Sequence, residues 1–111
     1  MAEVRAAIAS AMTERELYEH IREMALRLGW LVYHTYDSRR SYPGFPDVVL
    51  VRPPRLILAE LKRERGELSP QQERWLEALR RVPGIAVYVW RPSDWLSGEI
   101  ERVLRGEHDT A

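Results

Sequence analysis

Three residues of this sequence have side chains and a spacing that could bind a divalent cation: Asp47, Glu60 and Lys62. Glu60 and Lys62 are two positions apart in an apolar run typical of a β-strand, so their side chains share one face. Carboxylate oxygens are the ligands that Mg²⁺ and Mn²⁺ prefer, and a neighbouring ammonium group could activate water or offset charge on a phosphate. The alternative for an isolated Glu-x-Lys is the solvent-exposed end of a strand.

The position of Asp47 beside this pair follows from a short turn. The apolar runs 47–52 and 55–62 are separated by Pro53-Pro54, which predicts an antiparallel hairpin. Counting outward from the turn pairs residue 52 with 55 and residue 47 with about 60. The sequence therefore predicts two carboxylates at one end of a sheet, although Asp after Pro is also a common turn residue. Lys62 is the single lysine among 17 basic residues, and arginine cannot replace an ammonium whose pKa is adjustable.

The elements that position these residues are predicted from capping signals and hydrophobic periodicity. A capping box at Thr13 and Glu16 opens a first helix that ends at Gly29, and Ser69-Pro70 opens a second helix. The expected buried stripe of the second helix consists of Trp75, Leu76, Leu79 and Val82.

Four strands are predicted, over residues 30–36, 47–52, 55–62 and 85–90. The last is apolar throughout, which favours a central place in the sheet. A short C-terminal helix follows Pro92 and ends at Gly106. The sequence therefore predicts an α/β fold in which helices flank both faces of a four-stranded mixed sheet.

Composition bounds the domain organisation and the compartment. A length of 111 residues suits one domain, predicted over residues 13–106, with a frayed N-terminal extension at 1–12 and a tail at 107–111. The absence of cysteine excludes disulfides and thiolate zinc sites. The net charge of zero neither supports nor excludes a nucleic-acid partner. No apolar run approaches the roughly 18 residues of a membrane span, so a cytoplasmic protein without membrane association is expected.

Pro46-Asp47 followed by Glu60-Leu61-Lys62 resembles the PD-(D/E)xK nuclease pattern. The resemblance extends over about residues 13–105 to the VRR-NUC branch of that superfamily, particularly its small stand-alone phage-type members. It implies the αβββαβ core of the restriction-endonuclease-like fold. The residues that carry the wider resemblance are Gly44 to Asp47, Ala59 to Lys62, Gly66 to Gln72, and Trp75-Leu76.

The resemblance implies phosphodiester hydrolysis with Mg²⁺ or Mn²⁺. It assigns Asp47, Glu60 and the backbone carbonyl of Leu61 to the metal, and Lys62 to the attacking water and the scissile phosphate. It also implies activity on branched or flapped DNA (flaps, splayed arms or four-way junctions, as for Holliday junction resolvases), often as a homodimer. A non-catalytic module that binds DNA structures or assembles on the same fold is the alternative, and a generic α/β protein with a coincidental motif is a third.

Members of the family usually carry one more acid or Gln on the first helix, near Tyr18, which has no carboxylate. With Ile21 at the centre of the buried stripe, Glu14 lies about 20° away and Glu19 about 160° away. Glu14 is therefore the expected ligand, unless it only complements the helix dipole. Gln72 is expected beside Lys62 by resemblance, although its place at N3 of a capping box needs no function.

The expected nucleic-acid contacts lie in a polar, basic loop and just past Lys62. Arginines there suit phosphates, and a tyrosine suits stacking on a base. A solvated basic loop without function is the alternative. These residues are Arg39, Arg40, Tyr42, Gly44, Arg63 and Arg65.

Overall fold

The computed structural model describes residues 1–35 and 42–107, and within them the chain forms five helices and four strands. Both predicted capping boxes are present, at Thr13 and at Ser69. The elements are α1 (Ala2–Ala11), α2 (Glu14–Arg27), β1 (Leu31–His34), β2 (Val48–Arg52), β3 (Arg55–Leu61), α3 (Pro70–Arg80), β4 (Ile85–Trp90), α4 (Pro92–Leu96) and α5 (Glu99–Arg105).

The four strands form one mixed sheet in the order β1-β2-β3-β4. The first two pairs are antiparallel and the β3–β4 pair is parallel, which confirms the predicted fold class. Arg52 pairs with Arg55 and Val48 with Ala59, so the predicted hairpin register is confirmed. Continuing that register by one residue beyond the strand places Asp47 opposite Glu60.

The prediction that the strand at 85–90 is central is wrong, because β4 is an edge strand. The strand is apolar because helices cover it, not because it has a neighbouring strand on each side. Helix α3 packs against it. Trp90 belongs to the core cluster, which includes residues of α2 and α5, and Ala86 and Tyr88 pack against that cluster.

Side chains of β3 alternate between two differently covered faces. Ile57, Ala59 and Leu61 are buried in the main core, together with apolar residues of α2 and α5. Leu58 alternates to the other face and is buried. Glu60 follows Leu58 on that face and lies beneath α3. The fold therefore buries a carboxyl group.

Three expectations about the helices are corrected. Residues 2–11 form a helix rather than a frayed extension, because Ala9 and the following Met12 are buried and α1 contacts α4. The C-terminal segment forms two short helices, because Gly98 adopts a left-handed conformation (φ 85°) between them. Val82, predicted in the buried stripe of α3, is 44% exposed. The helix ends at Arg80, so Val82 is not part of its buried face.

No helix in residues 1–35 and 42–107 is long and apolar enough to cross a membrane.

Candidate active site

Asp47 lies directly before β2 and is held at both its backbone and its side chain. Its carbonyl accepts a hydrogen bond from the Thr35 N–H (3.0 Å), and its Oδ2 accepts one from the Leu61 N–H (2.9 Å). The second bond reaches across the hairpin to the residue after Glu60. The carboxylate is therefore fixed at the end of β3, where the sequence predicted it.

Glu60 is a buried acid, with only 2% of its surface exposed. Its Oε2 accepts a hydrogen bond from the Gln72 Nε2 at 2.7 Å. Its Oε1 is buried and has no hydrogen-bond partner among the residues that the structure describes. An unpaired buried oxygen is costly, so Glu60 needs either a proton or a cation.

The pKa of Glu60 is raised to about 8. Burial is the largest cause of the rise, followed by the negative charge of Asp47 and a side-chain hydrogen bond with Asp47. The Lys62 ammonium lowers this pKa, and the charge of Glu14 raises it by a smaller amount. Without a cation, Glu60 therefore keeps its proton more readily than an exposed glutamate does. Two converging carboxylates and an unpartnered oxygen fit the oxygen-rich donor set that Mg²⁺ or Mn²⁺ requires.

Lys62 is held by the backbone that follows β3. Its N–H donates to the Trp90 carbonyl at 3.1 Å. The segment after it is tied down by Arg91, whose Nη1 donates to the carbonyls of Arg63 (2.8 Å) and Gly66 (2.7 Å). The sequence did not single out Arg91, because its partners lie more than 20 positions earlier in the chain.

Gln72 completes the predicted capping box and also contacts Glu60, while its predicted place beside Lys62 stays a prediction. Its Oε1 accepts from the Ser69 N–H at 2.8 Å, and the Ser69 Oγ accepts from its backbone N–H, which completes the capping box. At the same time its Nε2 donates to Glu60. One amide group therefore fixes both the first turn of α3 and the buried acid.

The Asp47 carboxylate faces a cleft of about 360 Å³, here called the acidic cleft. Glu14 borders this cleft from the first turn of α2, as its helical angle predicted. Glu19 also borders it, but pairs with Arg15 at 3.4 Å. The residues that line the acidic cleft are Glu14, Arg15, Tyr18, Glu19, His34, Thr35, Asp47 and Leu61.

Glu14 does not complete a third ligand position in this conformation. Across the described parts of the chain, no three His, Cys, Asp or Glu side chains converge as a metal-binding group. The converging carboxyl groups are Asp47 and Glu60, and the remaining donor close to them is the backbone around Leu61. Glu14 acts on this pair across the cleft, through its charge.

Comparisons with known proteins decide the family. The VRR-NUC domain family matches the chain over residues 4–94. The chain belongs to this family. A solved structure described as a VRR-NUC domain matches it with a TM-score of 0.64 and 21% identity, over 87% of this chain and 100% of that one, which shows the shared fold. A search of curated proteins gives no match.

Two aromatic residues of this VRR-NUC domain line the acidic cleft, and the sequence did not place one of them, His34, there. The rings of Tyr18 and His34 stack with their centroids 4.0 Å apart. Burial lowers the pKa of His34, against the opposite effect of Asp47. The signal that could have found His34 is the pairing of β1 with β2, which puts it opposite Val48, beside Asp47.

The predicted DNA-contact residues of this VRR-NUC domain are only partly described. Arg39 and Arg40 lie outside the described residues. Tyr42 is 82% exposed. Arg63 is exposed and donates to the Ser10 carbonyl at 3.4 Å, and Arg65 is exposed beside it.

Gly44 has a structural role that explains its residue type. Its φ is 98°, and a Cβ built on it would lie 2.5 Å from the Gln71 carbonyl oxygen. Only glycine allows this left-handed backbone to approach the first turn of α3 so closely. The approach brings the segment that leads to Asp47 against the helix that carries Gln72.

Proposed function

We propose that this VRR-NUC domain is a divalent-metal-dependent endonuclease that hydrolyses phosphodiester bonds in branched or flapped DNA. Candidate substrates are flaps, splayed arms and four-way junctions. The observation that carries the proposal is the pairing of Asp47 with the buried, Gln72-bonded Glu60 beside Lys62. Membership of a nuclease-like domain family supports the same conclusion.

In this proposal Asp47, Glu60 and the carbonyl of Leu61 hold Mg²⁺ or Mn²⁺, and Glu14 adds negative charge from the opposite wall. The bound cation would supply Lewis-acid activation of water and stabilise charge on the phosphate. Gln72 keeps the Glu60 carboxyl group in place. The Lys62 ammonium orients the attacking water and offsets the charge that develops on the phosphate.

DNA contacts in this proposal come from the segment before Asp47 and the segment after Lys62. Tyr42 and Gly44 shortly precede Asp47, and Arg63 and Arg65 shortly follow Lys62, so phosphates on either side of the scissile bond would lie near these residues. The neutral overall charge neither supports nor excludes this. The proposed contacts are Arg39, Arg40, Tyr42, Gly44, Arg63 and Arg65.

A homodimer would provide two such sites, as cleavage of two strands requires. Edge strand β1 exposes Leu31 (70%) and Tyr33 (63%), and exposed apolar residues on a sheet edge favour an interface. Trp90 is buried and Trp95 packs against the core, so neither supplies such a surface. Light scattering on the purified chain tests the assembly. A dimer that Leu31→Lys converts to a monomer is expected, and a monomeric wild-type chain would contradict the proposal.

The test of activity is cleavage of a panel of labelled DNAs, namely duplex, flap, splayed-arm and four-way junction, with Mn²⁺ or Mg²⁺. We expect cleavage of at least one branched substrate and its abolition in EDTA. Lys62→Ala should lower cleavage by about 100-fold or more, while Arg22→Ala, an exposed cation of α2, should not change it. A panel left intact by folded protein would refute the enzyme and leave a DNA-binding or assembly module.

A further inference from the structure

A second groove, of about 460 Å³, lies between α3 and the segment that precedes Asp47. It is separate in lining from the acidic cleft and contains no carboxylate. We call it the aromatic groove. Its lining residues are Tyr42, Pro43, Gln71, Arg74, Trp75 and Ala78.

One side of this groove is formed by a stripe of side chains on α3. Gln71, Trp75 and Ala78 recur at the spacing that places side chains on one face of a helix. The ring of Trp75 is contacted by Phe45, which meets it edge-on at 5.2 Å and 83°. Packing against Phe45 therefore supports the helical side of the groove.

The groove and the proposed active site are built on the same two segments. Gln71 lines the groove, and the next residue, Gln72, holds Glu60. Pro43 lines the groove, and Asp47 follows four residues later, at most about 14 Å away along the chain. The contact of Gly44 with Gln71 joins the two segments between these positions. A strand bound at the carboxylates would pass the mouth of the groove.

We propose that the aromatic groove binds an unpaired nucleobase of the DNA strand whose phosphate lies at Asp47 and Glu60. This inference rests on the proposed function, and it names what the enzyme recognises in its substrate. Tyr42 and Trp75 provide ring faces for a base, and the Gln71 amide can pair with a base edge. Arg74 places a cation at the rim, where the adjoining phosphate would lie.

This occupant explains the lining better than a purely apolar ligand does, because the groove carries a guanidinium and an amide beside its ring faces. It also gives a physical basis for a preference for branched or flapped DNA. Bases in a paired duplex are stacked on one another and cannot enter a slot in the protein. Unpaired bases at a branch or flap can enter at little cost.

The test is DNA binding in EDTA, so that the result does not depend on the metal site. The probes are a short single strand of thymidine and a strand of the same length in which every base is replaced by an abasic site. Tyr42→Ala and Ala78→Leu, which fills the groove, should weaken binding of the thymidine strand by about 5- to 100-fold. Binding of the abasic strand should not change.

Leu26→Ala and Ala6→Leu are matched controls, because both positions are exposed and neither lines the groove. Circular dichroism shows whether each variant is folded. In a second measurement, a strand that carries iododeoxyuridine should cross-link under light to Tyr42 or Trp75. Unaltered affinity in both groove variants, equal weakening for the two strands, or cross-links found only elsewhere would overturn the inference.

Failure of the groove and failure of the proposed function give different results. If wild-type protein cuts branched DNA but the groove variants bind the thymidine strand normally, only the base-binding inference falls. If wild-type protein binds neither strand and cuts no DNA, the proposed function falls as well, and the groove inference falls with it.

Discussion

The acidic cleft and the aromatic groove share the segment 42–47 but have opposite chemistry. The acidic cleft is bordered by Glu14 and Asp47, beside the buried Glu60. The aromatic groove presents ring faces, an amide and one arginine. Under our two proposals, the difference means that a small domain separates the reaction from recognition by placing them on the two sides of one connecting segment.

The two regions also differ in the free-energy cost of burying their side chains. In the acidic cleft, Glu60 is buried at an energetic cost, which a cation would relieve. In the aromatic groove, Tyr42 is exposed and incurs no such cost. Strain at a buried charge is common at functional sites. Substitutions in the two regions should therefore change different quantities.

The largest expected effect is on turnover. Asp47→Asn should lower kcat for a branched substrate by about 100-fold or more, because it removes one of the two converging carboxylates. Tyr42→Ala should act mainly by raising KM for DNA. Steady-state cleavage over a range of DNA concentrations measures kcat and KM separately. The same loss of kcat in both variants would mean that the two regions are not separate in function.

The next effect is on stability. Gln72→Ala removes half of the capping box and the donor to Glu60, so it should lower the free energy of unfolding by about 1–3 kcal/mol. Ser69→Ala removes only capping contacts and is the matched control. Urea denaturation measures both. Equal losses in the two variants would show that the bond from Gln72 to Glu60 adds nothing to stability.

A smaller effect is on the pH dependence of stability. The pKa of Glu60 is raised from 4.5 to about 8 by folding, so between these values the folded state holds more protons than the unfolded state. Stability of the metal-free protein should therefore fall as pH rises from 5 to 8.

Glu60→Gln cannot ionise at this position, so its stability should fall less over the same range. The variant should gain at least about 1.4 kcal/mol relative to wild type, the equivalent of one pKa unit. His34 is present in both proteins, so its titration largely cancels in the comparison. Urea denaturation in EDTA at several pH values measures the difference, and parallel curves for the two proteins would contradict a raised pKa.

The smallest effect is expected at the rim of the acidic cleft. Glu14→Gln should weaken Mn²⁺ binding by roughly threefold, because Glu14 acts at a distance through its charge. Glu19→Gln is the control, since Glu19 is exposed and paired with Arg15. Calorimetry compares the two affinities. If Glu14→Gln lowers only the stability of the helix, its role is to complement the helix dipole.

The sequence predicted the pairing of Asp47 with Glu60 because local rules determine the hairpin register. A turn of two prolines leaves little choice of register, so Asp47 had to face Glu60. Capping residues at Thr13 and Ser69 marked the helices that cover the site. Glu14 lies at the cleft as its helical angle predicted, but Glu19, at an angle of about 160° from the buried stripe, borders the cleft too.

Other features depend on contacts between distant parts of the chain, which a local pattern does not report. The apolar run of β4 indicates that helices cover its faces. It does not indicate which strands lie beside β4 in the sheet. His34 reaches the cleft only because β1 pairs with β2. Arg91 binds backbone carbonyls, which every residue offers, so no residue type marked its partners.

The central claim is that Asp47 and Glu60 together form a divalent-cation site, and calorimetric titration of Mn²⁺ at pH 7 tests it most directly. We expect a bound ion and, because Glu60 is largely protonated at this pH, release of up to one proton, seen by comparing buffers of different ionisation enthalpy. Asp47→Asn and Glu60→Gln should abolish binding, and Glu23→Gln, an exposed acid of α2, should preserve it. Mn²⁺ binding that survives both site substitutions, or none in the wild-type protein, would contradict the claim.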